Sequence, residues 1–184
     1  KKYEEAILVY DTILDIDSKD KIAWNNKGHC LNQIGKKLTA INCFNKALSI
    51  DPDFILARHN LGKVYQSKGQ FLEAINIFLE SLNKNKNSYV TLDEIGSLLR
   101  EIGALDLAIS YHEKALSIYP YFEEALINKG VAFERKAKST EKKEVFEENN
   151  DFALKCFEEV IQLNPKNSLA YSNKSVCLSN IGDF

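Results

Sequence analysis

The feature that most constrains this chain is a period of 34 residues. Gly28, Gly62, Gly96 and Gly130 mark it, and a second series, Gly35, Gly69 and Gly103, runs seven residues behind. Around them Trp24, Leu31, Ala40, Phe44, Ala47 and Pro52 recur as Arg58, Tyr65, Ala74, Phe78, Ser81 and Lys86, and again as Leu92, Leu99, Ala108, His112, Ala115 and Pro120. A further round gives Leu126, Phe133, Ala153, Phe157, Val160 and Pro165, with extra residues in its middle. Self-similarity at a fixed period of this length signals a stack of one supersecondary unit that cannot bury its apolar face alone.

Each recurring position has a physical reason. Apolar residues fall at helical spacing in two blocks per period, as in Leu61 and Tyr65 and then Ala74, Phe78 and Leu82, which predicts two amphipathic helices. Gly35, Gly69, Gly103 and Gly182 stand where the first helix must end, because glycine takes the left-handed conformation there at no steric cost. Pro52, Pro120 and Pro165 stop the second helix, since the residue before a proline is pushed out of the α region. Small residues, Gly28 with Ala40, Gly62 with Ala74 and Gly96 with Ala108, let the two helices approach closely.

These residues resemble the tetratricopeptide repeat (TPR), whose signature sets a bulky residue, Gly, an aromatic or Leu, then Ala, an aromatic, Ala and Pro at these offsets. The resemblance covers essentially the whole chain, and the unit from Trp24 to Pro52 is nearly complete. Departures are Lys27, Lys129 and Lys174 for the usual Leu, Ser175 for Gly, Ser81 for Ala and Lys86 for Pro. Asn26, Lys27 and Gly28 together look like microbial versions of the repeat. The resemblance implies an all-α fold, a right-handed superhelical solenoid of antiparallel helix pairs. It also implies a protein-interaction scaffold with no catalytic residues, no cofactor and no metal.

In this register residues 1–20 are a half repeat, 21–54, 55–88 and 89–122 are full repeats, and 168–184 are a second half repeat. Residues 123–167 are a full repeat carrying an 11-residue insertion. The array is cut through a repeat at both ends, which reads as a fragment of a longer array and leaves Tyr3, Ile7 and Tyr10 at one end, and Tyr171, Leu178 and Ile181 at the other, without a covering helix. A weak head-to-tail self-association is expected, with Gly182 at the turn and Asp183 and Phe184 beginning the next helix. In the insertion Ala137 replaces the terminating glycine and helix formers fill the extra length. Helix is therefore predicted over 124–137 and 143–163, with 135–150 forming a protruding, solvated, charged hairpin.

Charge narrows the function classes. Lys plus Arg (24) nearly balances Asp plus Glu (26), which supplies no field for nucleic acid or an acidic membrane. No apolar run approaches the roughly 20 residues that span a bilayer. Cys30, Cys43, Cys156 and Cys177 lie far apart, which suits free thiols and a cytoplasmic setting.

In the TPR family the first helices line a concave groove, and the resemblance places Asn25, Asn26, His29, His59, Asn60, Lys63, Asp93, Glu94, Asn128 and Asn173 there. Asparagine stands two places before the small residue at Asn26, Asn60, Asn128 and Asn173, where a carboxamide can pair with an extended peptide backbone or with the neighbouring repeat. The cations of the chaperone carboxylate clamp are missing from every three-repeat window. The expected partner is a protein or peptide segment other than a chaperone C-terminal carboxylate, and the acids Asp93, Glu94 and Glu124 favour a basic or neutral one. His112, in an aromatic slot, reads as a hydrogen-bonded core residue, and Ser175, in a glycine slot, as one packed between helices. Two other readings stay open: a TPR accessory region of a larger enzyme such as a glycosyltransferase, and a self-assembling structural array.

Overall fold

A computed structural model describes residues 2–182, which form ten α-helices and no strand. The chain divides into two compact units. Lys1–Lys86 holds α1 (Lys2–Ile16), α2 (Lys21–Gln33), α3 (Lys37–Ile50), α4 (Ile55–Ser67) and α5 (Phe71–Lys84). Asn87–Phe184 holds α6 (Tyr89–Glu101), α7 (Leu105–Ile118), α8 (Glu123–Lys138), α9 (Lys143–Leu163) and α10 (Ser168–Gly182). Within the units α2 pairs with α3, α4 with α5, α6 with α7 and α8 with α9, each as an antiparallel pair. The fold is the all-α TPR arrangement expected from the period.

The punctuation acts as its chemistry requires. Gly35, Gly69 and Gly103 have φ of 80°, 73° and 80°. Each lets the next amide fold back on the helix, as Gln70 N–H does on the Tyr65 carbonyl at 3.0 Å, which satisfies carbonyls the helix end would otherwise strand. The second helices stop two residues before Pro52, Pro120 and Pro165, with the intervening Asp51, Tyr119 and Asn164 extended at ψ of 98°, 92° and 89°. Asn85 takes the same form at ψ 88° without a following proline, so the helix ends here in the same way where the signature residue is absent. Asp20 caps α2, its Oδ1 accepting from Ile22 and Ala23 amides at 2.8 and 2.9 Å.

Helix pairs close on a glycine. A Cβ added at Gly28, Gly62 or Gly130 would sit 2.8, 2.7 or 2.6 Å from the ring of Phe44, Phe78 or Phe157, so each first helix lies directly on an aromatic of its partner. At Gly96 the ring is that of His112, at 2.7 Å. Around these contacts Leu31, Ala40, Ile41, Phe44, Leu61 and Val64 form the core of the first unit, and Leu126, Ala153, Phe157, Val160, Ala170 and Cys177 a core of the second.

The surplus residues of the fifth repeat divide into three added to α8, seven to α9 and one to the turn, by comparison with the 13- and 14-residue helices of the other pairs. Seven residues are close to two helical turns, so α9 keeps its apolar face in phase. The helices match their expected bounds. The hairpin's charges are exposed as expected, at Arg135, Lys138, Glu141, Glu144, Glu147 and Glu148, but its other face is seated: Ala137, Phe146, Asn149 and Asn150 are buried, and Asn150 Nδ2 donates to the Cys177 carbonyl at 3.1 Å. Two apolar side chains and a carboxamide are enough to seat it on its own unit.

Neighbouring repeats are joined by ion pairs at a fixed spacing. Lys27 pairs with Asp11, Lys129 with Glu113 at 3.0 Å and Lys174 with Glu158 at 2.9 Å, each acid 16 residues before its lysine on the preceding second helix. These lysines are the ones that replace the signature leucine. Where no acid waits, at Asn45 and Leu79, the position reverts to Leu61 and Ile95, both buried. Partly exposed pairs of this kind contribute about 0–1 kcal/mol each, so they adjust fit and do not hold the stack together.

All four cysteines are buried and free. Burial raises the Cys156 and Cys177 thiols to about 11, which keeps them protonated and unreactive near neutrality. Ser175, expected between helices, is exposed, because no described helix packs over that side of α10; its Oγ donates to the Ser172 carbonyl at 2.8 Å. α10 runs through Gly182, and the expected start of a further helix at Asp183 and Phe184 lies outside the described residues.

Candidate peptide-binding face

Helix geometry decides where the groove residues of each first helix go. The small glycine faces the partner helix, and a residue two places earlier lies about 200° round the helix, on the far side. Asn26, Asn60, Glu94, Asn128 and Asn173 occupy this position, and all five are half-buried with access to solvent. A residue three places earlier lies about 300° round, back within about 60° of the glycine stripe. Asn25 and Asp93 occupy it and are 2% and 7% exposed. They were placed among the groove residues; the structure turns them into the contact between neighbouring repeats. His29 is exposed, and His59 and Lys63 are half-buried. The His59 ring lies 5.7 Å from that of Phe78, so its imidazole also covers the core.

In the first unit Asn60 Nδ2 donates to Asn25 Oδ1 at 2.9 Å, and Asn25 Nδ2 donates to Asn26 Oδ1 at 3.1 Å. In the second, Asn128 Nδ2 donates to Asp93 Oδ2 at 3.0 Å and Oδ1 at 3.3 Å. Both links span 35 residues, one more than the repeat, and tie the far-side position of one first helix to the inner position of the preceding one. The asparagine series is therefore an inter-repeat clasp at two of its members. The first clasp leaves Asn60 its carbonyl oxygen and one N–H for other partners; the second leaves Asn128 one N–H, its oxygen already accepting from Arg100.

The second clasp goes deeper. His112, wholly buried in the aromatic slot, has Nδ1 at 2.6 Å from Asp93 Oδ1. A carboxylate only accepts, so Nδ1 carries the proton. On the other side Asn128 Oδ1 accepts from Arg100 Nη1 at 3.4 Å. The result is a chain of polar groups, His112, Asp93, Asn128 and Arg100, running from the core to the surface of the second unit. Sequence reasoning placed His112 in the core but gave Asp93 to the ligand and overlooked Arg100. The signal was present, since an imidazole in an otherwise phenylalanine slot needs a polar partner within its own helix pair.

Among the described residues no helix is long and apolar enough to cross a membrane. No curated protein matches this chain. Among solved structures, "Crystal structure of MamA" is similar with a TM-score of 0.75 and 23% identity over 90% of this chain and 91% of that one. "MamA 41-end from Desulfovibrio magneticus RS-1" gives a TM-score of 0.75 and 18% identity over 90% and 87%. At these identities the likeness shows the fold. Three family models described as Tetratricopeptide repeat match the sequence, one at residues 22–54, one at 43–76 and 156–184, and one at 91–122. The chain belongs to the tetratricopeptide repeat family.

Proposed function

We propose that this repeat stack, a protein-interaction scaffold by its family, receives an extended segment of a partner protein across its first helices. The observation that carries the reading is the far-side row. Asn26 and Asn60 on the first unit, and Asn128 and Asn173 on the second, are half-buried carboxamides able both to donate and to accept. His29 and Lys63 flank the row on the first unit and Glu94 on the second. A backbone in extended form offers alternating N–H and C=O groups, which carboxamides match without reading side chains. Binding is its work; no residue set here is assigned a catalytic role.

The test is a peptide selected from a display library against the 184-residue chain, titrated into the labelled protein while backbone amide shifts are followed. Shifts should concentrate on α2 and α4, or on α6, α8 and α10. Shifts confined to α3, α5, α7 and α9 would place the ligand on the other face and reject the reading.

A second behaviour is favoured by the terminal helices. Of the expected α1 residues Tyr3 is exposed, while Ile7 and Tyr10 are half-buried, Ile7 against the first core; Leu8, Val9 and Ile16 on α1, and Tyr171, Leu178 and Ile181 on α10, are exposed apolar residues. We expect the 1–184 polypeptide to associate weakly head to tail through these faces. Burying about 400 Å² of apolar surface is worth roughly 10 kcal/mol, and association costs of similar size leave little net affinity. The contact is heterologous and does not close, so light scattering should show mass rising steadily with concentration. A fixed dimer, or a monomer at millimolar concentration, would reject it.

A further inference from the structure

Arg100 and Arg135 bring together two guanidinium groups that no motif announces. Arg100 stands four places after Gly96, where the other full repeats carry Asn32, Gln66 and Glu134. Arg135 stands five places after Gly130, where they carry Gln33, Ser67 and Glu101. The two meet because their separation of 35 residues is the same as that of the asparagine clasps.

Their present partners are few and distant. Glu101 Oε1 lies 3.4 Å from both Arg100 Nη2 and Arg135 Nη2, one carboxylate shared by two cations. Charge-assisted N–H···O contacts ordinarily close to about 2.7–2.9 Å. Arg100 Nη1 reaches Asn128 Oδ1 at 3.4 Å, and Arg100 Nε is buried with no acceptor. Burial lowers the Arg100 pKa from its ordinary value, and the charge of Arg135 lowers it further.

The other acids nearby are engaged. Asp93 gives its oxygens to His112 and Asn128, and Glu134 holds Lys138 and accepts from Asn180 at 3.3 Å. Arg135 has a structural task as well, since its Nη1 donates to the Arg100 carbonyl in the last turn of α6 at 3.4 Å. That task uses one of its five N–H groups. It gives no account of the unmatched Nε of Arg100.

We propose that Arg100 and Arg135 form a receptor for an aspartate or glutamate side chain of the bound segment, which Glu101 occupies as an internal stand-in when the protein is free. The proposal rests on the groove reading above and replaces the basic or neutral partner expected from Asp93, Glu94 and Glu124 with one that carries an acid at this point, since Asp93 is engaged by His112 and Asn128. Arg135 has 43% of its side chain exposed and forms the mouth; Arg100 has 15% exposed and forms the floor. An incoming carboxylate replaces that of Glu101, accepts from both guanidinium forks, and leaves Glu101 to water. The acid is a side chain within the segment, distinct from the terminal carboxylate of the chaperone clamp.

The experiment selects twelve-residue peptides with blocked C termini against the intact 184-residue chain and against its Arg135→Ala and Glu101→Gln variants. The wild-type pool should be enriched in Asp or Glu at one position, and Arg135→Ala should return that position to background while other preferences persist. Glu101→Gln removes the competing carboxylate and should tighten the best acidic peptide by about fivefold, the scale of one exposed ion pair. Its glutamine counterpart should be unchanged. Peptides that bind the first helices with no acidic preference, or an acidic preference that survives Arg135→Ala, or unchanged affinity in Glu101→Gln, would overturn the receptor and leave the groove standing. A library that yields no binder would overturn the groove and the receptor with it.

Discussion

His112→Phe is expected to destabilise the second unit by about 3 kcal/mol, even though phenylalanine is the residue that Gly28, Gly62 and Gly130 meet in the other pairs. The ring would fill the same space, so packing is not the cause. The cost arises at Asp93, which is 7% exposed and would lose its 2.6 Å donor, keeping only the Asn128 amide. A buried acceptor stripped of its partner retains its desolvation penalty. The first unit shows the remedy, because there Asn25 occupies the Asp93 position, Phe44 the His112 position and Asn60 the Asn128 position. The double variant His112→Phe with Asp93→Asn copies that arrangement and should recover to within about 1 kcal/mol of the wild type, a departure from additivity of at least about 2 kcal/mol, the more so for any cost of Asp93→Asn alone. Native-state hydrogen exchange on α6 and α7 measures it. A single variant as stable as the wild type would show that the imidazole and the carboxylate do nothing for each other.

Much of this molecule is written locally and repeated. The glycine that ends a first helix, the proline that ends a second and the glycine under each aromatic are short-range devices, and their period set the helix bounds, including those of the insertion. What went astray lies between repeats. Asn25 and Asp93 were given to the ligand because they neighbour the exposed position along the chain, whereas a turn of about 100° per residue brings them back beside the glycine stripe. The pairing of Lys27 with Asp11, Lys129 with Glu113 and Lys174 with Glu158 was legible as a spacing of 16, which the signature leucine concealed. In the insertion hairpin the charges mark the solvated face, and Phe146, the aromatic in the middle of them, marks the face that is seated. Arg100 and Arg135 belong to no pattern; only the 35-residue offset between neighbouring first helices joins them.

Two glycines on α4 and its end should respond to substitution in opposite ways, because the same residue type serves two different physical needs there. Gly62 has no conformational reason to be glycine. A Cβ would lie 2.7, 2.8 and 3.1 Å from ring atoms of Phe78, a side chain that is wholly buried and has nowhere to move. Gly62→Ala therefore overpacks the pair at a cost of about 1–3 kcal/mol, against which alanine's better helix propensity returns about 1 kcal/mol. Phe78→Leu alone leaves a cavity and is also destabilising. Combined, the leucine yields the room that the new methyl needs, and the double variant should be less destabilised than the sum of the two by at least about 1 kcal/mol. Gly69 has open space on every side, with nothing within 4 Å of a built Cβ, and its φ of +73° is the constraint. Gly69→Ala should cost about 1–2 kcal/mol through that conformation alone. Asparagine tolerates the left-handed region, so Gly69→Asn should restore most of the loss while Gly62→Asn, larger still against Phe78, should be worse than Gly62→Ala. Urea unfolding followed by the fluorescence of Trp24, the single tryptophan and a member of the first unit, reports all six variants. Equal responses of the two glycines to asparagine would mean that one cause has been mistaken for the other.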